Sequence, residues 1–229
     1  MQPSSFIVPL FCIVDGEPTF LGTAFFVRHA RNILLTAAHV VRDRGADFVF
    51  SAVVQSTLQD GVMPWFDCNV LHIFYDIDLA VLTTSSYFPN DKIELPSDDE
   101  VQLNRFVVCH EYSDTRKSGK DTLQSQAASR IGNVTRMLDR TDILGKAGSD
   151  VLELSFPALR GASGAPVITM DSKVLFGVVL QNVQYELLPI QIETVLDEKN
   201  QILEETKYML PQALALHVKH VRAALNSIV

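Results

Sequence analysis

The chain has 229 residues, 47% of them hydrophobic and 20% charged, and carries a formal net charge of −8. That is enough apolar material for one large or two small cores, and too acidic an average for a protein whose main task is gripping a phosphate backbone, which rests on clustered Lys and Arg. No apolar run approaches the roughly 18 residues needed to cross a bilayer, so neither nucleic acid nor membrane is expected as a partner.

The amino terminus lacks the basic start, apolar core and cleavage site of an export signal, since the run from Phe6 to Val14 is short and interrupted by Pro9. Cys12, Cys68 and Cys109 are an odd, widely spaced set in apolar contexts and read as buried thiols rather than a disulfide framework. A cytoplasmic location is the expectation.

Residues 6–14 and 20–28 are β-branched or aromatic runs separated by Asp15-Gly16-Glu17-Pro18, which predicts a hairpin. Gly22 inside the second run marks a bulge or a close backbone approach. Residues 33–37 predict the next strand and lead through two alanines to His39, with Ala38 to Val41 opening a short helical turn. Strands are predicted near 47–55 and 66–75, followed by Asp-Ile-Asp-Leu-Ala-Val-Leu at 76–82. Asp76 and Asp78 stand two apart and would face the same way on a strand, and either one alone reads as a capping or turn aspartate. Residues 89–100, with Pro89, Pro96 and an acidic run at 98–100, form the link to a second half.

That half begins with a strand over 101–110, followed by a polar, pattern-free stretch at 111–126 that predicts a long surface loop. Strands follow at 127–138 and 151–156, with Gly145 and Gly148 in the turn between them, then a buried strand from Val174 to Gln181 and a final hairpin of 190–197 with 202–209. Leu214, Val218, Val221, Leu225 and Ile228 recur at spacings of three and four and predict a terminal helix. His217 and His220 lack a third or fourth ligand nearby and read as surface histidines on its polar face; no metal or cofactor is expected.

Three stretches carry chemistry. Ile33 to Val41 places His39 after an apolar strand, Asp78 stands at the mouth of a second one, and Arg160-Gly161-Ala162-Ser163-Gly164-Ala165-Pro166-Val167 holds a serine between glycines. A serine hydroxyl is a poor nucleophile until a base takes its proton and amides meet the oxyanion, and glycines let the backbone turn those amides inward. With Thr-Ala-Ala-His, Asp-Leu-Ala-Val-Leu and Gly-x-Ser-Gly-x-Pro in this order, the sequence resembles the trypsin-like (chymotrypsin-fold) serine peptidases, in an intracellular single-domain form of bacterial type.

The resemblance implies an all-β fold of two six-stranded antiparallel β-barrels packed together, with a C-terminal α-helix. It divides one peptidase domain, 1–229, into a barrel lobe over 1–95, a second over 101–210 and the helix over 211–229. It implies a His39/Asp78/Ser163 triad, an oxyanion hole from the amides of Gly161 and Ser163, and a primary pocket walled by Leu180, Gln181 and Asn182 with its base around Pro157 and Ala158. With no carboxylate at that base, a substrate with Lys or Arg in this pocket is not expected; a small or apolar residue is. Where secreted relatives place an aspartate before the serine to receive a freed amine, this chain has Ala162, so activity is not expected to require N-terminal trimming. The expected partner is a peptide or protein substrate. Two alternatives stay open: a binding or scaffold protein on the same fold, and a protease inactive until an activating protein partner binds.

Overall fold

The computed structural model describes residues 5–42, 49–53, 65–96, 101–113, 116–118, 122–139, 150–186, 193–196, 202–206 and 209–228. The first half forms β1 (Ile7–Val14), β2 (Glu17–Val27), β3 (Ile33–Ala37), α1 (Ala38–Val41), β4 (Val49–Val53), β5 (Trp65–Phe74) and β6 (Leu79–Thr83). These six strands close into an antiparallel barrel in the order β1-β2-β3-β6-β5-β4. β5 shows buried residues alternating with exposed ones near its start, as a wall wetted on one side must, whereas β3 is buried at every position because the second half covers its outer face.

The second half contributes β7 (Phe106–Glu111), β8 (Arg116–Ser118), β9 (Thr122–Gln124), β10 (Ala128–Asp139), β11 (Asp150–Leu154), β12 (Pro166–Thr169), β13 (Leu175–Glu186), β14 (Glu193–Leu196), β15 (Ile202–Thr206) and β16 (Met209–His217). Six of them close a second barrel, β10-β11-β16-β13-β12-β7, while β8 pairs with β9 and β14 with β15 as separate hairpins. Closure leaves neither barrel a free edge strand. The expected double barrel is thus observed, and the chain ends in α2 (Val218–Ser227), which buries Val218, Val221, Ala224 and Leu225.

Several expectations need correction. Residues 211–217 are the end of β16, and the helix begins only at Val218. The apolar run 213–218 is buried throughout, so its spacing satisfies a helix and a doubly covered strand equally. His217 is therefore no surface histidine: it is 5% exposed and its Nδ1 caps α2 by accepting from the Lys219 amide. His220 is tied to β11, its Nε2 accepting from the Asp150 amide. Inside the stretch expected to be a loop, β8 and β9 pair from Arg116↔Gln124 to Ser118↔Thr122. The strand β12, opened by Pro166 where a missing N–H is tolerated, was not anticipated. Gly145 and Gly148 lie outside the described residues. All three cysteines are free and buried, and among the described residues no helix is long and apolar enough to cross a membrane.

Candidate active site

Pairing of β3 with β6 sets Ala37 opposite Leu79, which brings the residues following β3, Ala38 and His39, into reach of Asp78 just before β6. Asp78 then holds the first turn of α1 three times: its carbonyl accepts from the Ala38 amide at 2.9 Å, its Oδ1 from the His39 amide at 2.9 Å, and its Oδ2 from His39 Nδ1 at 2.9 Å. Of the two neighbouring aspartates, Asp78 is the one bonded to His39. Residues 75–78 form a turn rather than a strand, and Asp78 sits at φ 59°, a left-handed conformation tolerated by aspartate but costly enough to be notable at a site. With Nδ1–H committed to the carboxylate, His39 keeps Nε2 as a proton acceptor.

Ser163 lies on the opposite barrel, in the segment between β11 and β12. Gly161 at φ +96° and Gly164 at φ +84° supply the two left-handed positions of that segment. The Ala162 amide donates to Leu159 O (2.9 Å), the Ala165 amide to Ala162 O (2.9 Å) and the Gly164 amide to Val179 O (2.8 Å). Among the described residues, the amides of Gly161 and Ser163 donate to no backbone carbonyl. Ser163 Oγ donates to Leu180 O at 3.2 Å, and no hydrogen bond joins it to His39. Both side chains nevertheless open onto the same cleft, so nothing walls one from the other.

Thr23, on β2 of the first barrel, is the residue that sequence reasoning missed. Its amide donates to Ser163 O (3.0 Å), its Oγ1 donates to Gly161 O (2.9 Å) and accepts from the Tyr112 amide (3.0 Å), and its carbonyl accepts from Thr36 Oγ1 (2.8 Å). One residue with no exposed surface thus ties the serine segment, through its side chain and its backbone, to the strand that leads to His39. β2 bulges at Leu21, which has no partner between Leu10↔Gly22 and Phe11↔Phe20, and beside it the bare Gly22 permits this approach: a Cβ there would stand 2.9 Å from Ser163 O. A threonine in a strand carries no sequence signal for such a task, although its neighbour Gly22 does mark close approach.

Two clefts meet at His39 and Ser163. One, of about 540 Å³, has Leu180, Gln181 and Asn182 on one wall and Ala158 and Leu159 on the other; Pro157 does not line it. The second, about 360 Å³, is lined by Phe20, Leu21 and Val40 beside Gly161. Arg160 borders both, and among the described residues it forms no ion pair. A chain laid across the two clefts would pass directly over the serine.

The family model of the trypsin-like peptidase domain matches residues 22–178, which include every triad candidate. No curated protein matches the chain significantly in sequence. Among solved structures, Rv3671c from M. tuberculosis H37Rv, in an inactive serine-to-alanine mutant, superposes with a TM-score of 0.62 at 16% identity over 99% of this chain and 87% of the other. The HtrA-type protease AlgW with a decapeptide gives 0.62 at 13% identity, covering 98% of this chain and 64% of the other. The protease domain of MamO from Magnetospirillum magneticum gives 0.59 at 11% identity, over 97% of each. At these identities the likeness speaks to the fold.

Proposed function

Because the chain belongs to the trypsin-like peptidase family, we propose that it is a serine endopeptidase working through His39, Asp78 and Ser163. The observation that carries the reading is the His39–Asp78 pair, imidazole to carboxylate at 2.9 Å, in the cleft onto which Ser163 also opens. In the mechanism, rotation of Ser163 exchanges Leu180 O for His39 Nε2. Nε2 takes the hydroxyl proton as Oγ attacks the scissile carbonyl carbon, and the carbonyl electrons move to oxygen. The amides of Gly161 and Ser163 receive that oxyanion, a contribution of about 2.7–4 kcal/mol per donor in a comparable hole. Collapse breaks the C–N bond while imidazolium protonates the leaving amine, and water then frees the acyl group by the same path in reverse order. Asp78 holds the imidazole tautomer and stabilises its cation.

The bonds from Thr23 support activity without N-terminal trimming, because they hold the Gly161 and Ser163 carbonyls from the neighbouring barrel, with Ala162 in place of a carboxylate. The Ser163 hydroxyl resting on Leu180 O favours one second reading, an enzyme that awaits substrate or an activating protein. A fluorophosphonate probe tests both. Labelling of wild type, lost in Ser163→Ala and strongly slowed in His39→Ala, is the expected result; labelling that needs an added partner marks the gated form, and none under any condition refutes the hydrolase.

A further inference from the structure

The walls of the larger cleft are joined by a side chain. Asn182, on β13, reaches across to the segment leading to Ser163: its Oδ1 accepts from the Ala158 amide at 2.7 Å, and its Nδ2 donates to the Ala158 carbonyl at 2.8 Å. One carboxamide therefore satisfies both backbone groups of a single residue, in the manner of a β-ladder rung. The far wall is not free to retreat. The Phe156 carbonyl accepts from the Ala213 amide at 2.8 Å, and Phe156 itself is buried, which fastens the segment to β16 just before Ala158. On the near wall Leu180 is buried and bulges out of the ladder, but its neighbours Val179, Gln181 and Asn182 pair with Ala215, Leu214 and Ala213 of β16, so that side is anchored as well.

From this geometry we infer that Asn182 is a crossbar over the primary pocket and that it determines specificity: the pocket accepts a small uncharged residue on the acyl side of the scissile bond (P1), such as Ala, Ser or Val, and turns away Leu, Phe and the long cationic residues. The inference rests on the peptidase reading and goes beyond the absence of a carboxylate, which would leave large apolar residues acceptable. A bulky side chain has two routes in, and the structure opposes both. It cannot pass the point at which the Asn182 carboxamide bridges the walls, and it cannot displace the carboxamide without stripping two partly buried backbone groups of their partners, groups that a hydrocarbon side chain is unable to satisfy. A small residue stops short of the bar and leaves both bonds intact. The selectivity comes from an obstruction that excludes, not from contacts that attract.

The test is a series of peptidyl diphenyl phosphonates, identical except for Ala, Val, Leu or Phe at P1, whose second-order rates of reaction with Ser163 are measured on the full chain. Wild type is expected to favour Ala over Phe by about 100-fold, the scale on which a pocket discriminates by size. Asn182→Ala removes the bar and is expected to narrow its own Ala-to-Phe ratio at least tenfold; Asn182→Asp, which keeps the acceptor but loses the donor, should fall between. Far-ultraviolet circular dichroism and thermal melting establish that each variant is folded, and a ratio taken within one variant is independent of its active fraction. A wild type that reacts with Phe as fast as with Ala overturns the inference, as does an Asn182→Ala ratio equal to that of wild type. Failure of a fluorophosphonate without any P1 side chain to label wild-type Ser163 would instead remove the hydrolase reading and the crossbar with it.

Discussion

Replacing Thr23 by valine keeps the shape of a fully buried side chain while deleting its hydroxyl, so packing changes little and hydrogen bonding changes twice. Gly161 O loses its donor at 2.9 Å, and the hydroxyl to which the Tyr112 amide donates at 3.0 Å disappears. A buried polar group deprived of its partner costs about 1–3 kcal/mol, so Thr23→Val should lower the unfolding free energy by about 2 kcal/mol or somewhat more. Catalysis should suffer separately. Gly161 O is what Thr23 holds, and releasing it lets the peptide on either side of Gly161 turn; loss of one oxyanion donor is worth about 100- to 1,000-fold in kcat. Urea denaturation gives the first quantity, and the rate of Ser163 phosphonylation, measured well below the unfolding midpoint, gives the second. Thr23→Ser keeps the hydroxyl and should restore most of both. If Thr23→Val unfolds more easily yet reacts at the wild-type rate, the hydroxyl is structural glue and has no part in positioning the oxyanion amides.

Gly161→Ala should retain the fold but lose about 100-fold or more in kcat, because its Cβ would stand 2.4 Å from Phe20 Cε1 at a φ of +96°; fluorophosphonate labelling reports it. His110 is 8% exposed, and burial pushes its imidazole down to about 4 from 6.5. Since the unfolded chain takes up the proton first, this group's stability is present above pH 6.5 and is lost as pH falls towards 4, by about 3 kcal/mol in all; urea midpoints across that range should show the slope, and His110→Leu should flatten it. Arg130 Nε donates to Glu111 Oε1 at 2.6 Å and Ser113 Oγ to the same oxygen at 2.9 Å; the Glu111 side chain is 1% exposed, and among the described residues its Oε2 has no hydrogen-bond partner. Arg130→Ala leaves that carboxylate with the Ser113 hydroxyl but without the arginine's charge and should cost about 3 kcal/mol, at the low end for a buried pair because the arginine itself is partly in water; thermal denaturation checks it.

What could be read from the chain without coordinates follows from how local each signal is. His39, Asp78 and Ser163 each sit in a contiguous motif, because a base, its orienting carboxylate and a turned nucleophile each need particular neighbours within a few residues. The bulge or close approach expected at Gly22, where the structure has the approach at Gly22 and the bulge beside it at Leu21, and the helical turn at His39 were legible for the same reason. β16 was not, since Ala213 to Val218 is buried on all sides and such a run carries no period that separates strand from helix. β8 and β9 escaped because three-residue strands in a polar stretch have no apolar face to betray them. Thr23 escaped for a different reason, as did the bonds by which Asn182, expected only as a pocket wall, holds Ala158: each side chain acts on backbone atoms of residues distant in sequence, and a hydrogen bond to a peptide group leaves no trace in the identity of its partner.

His39 and Ser163, the proposed base and nucleophile, are carried by separate barrels, and the polar join between those barrels at the site is a handful of contacts around one threonine and one glycine. The reaction is therefore a gauge of alignment as much as of integrity. A misplacement of about 1 Å between reacting groups can cost roughly 100-fold in rate, so on the proposed mechanism a molecule lodged in that seam would silence the reaction while each barrel stayed folded and His39, Asp78 and Ser163 each kept its place on its own barrel.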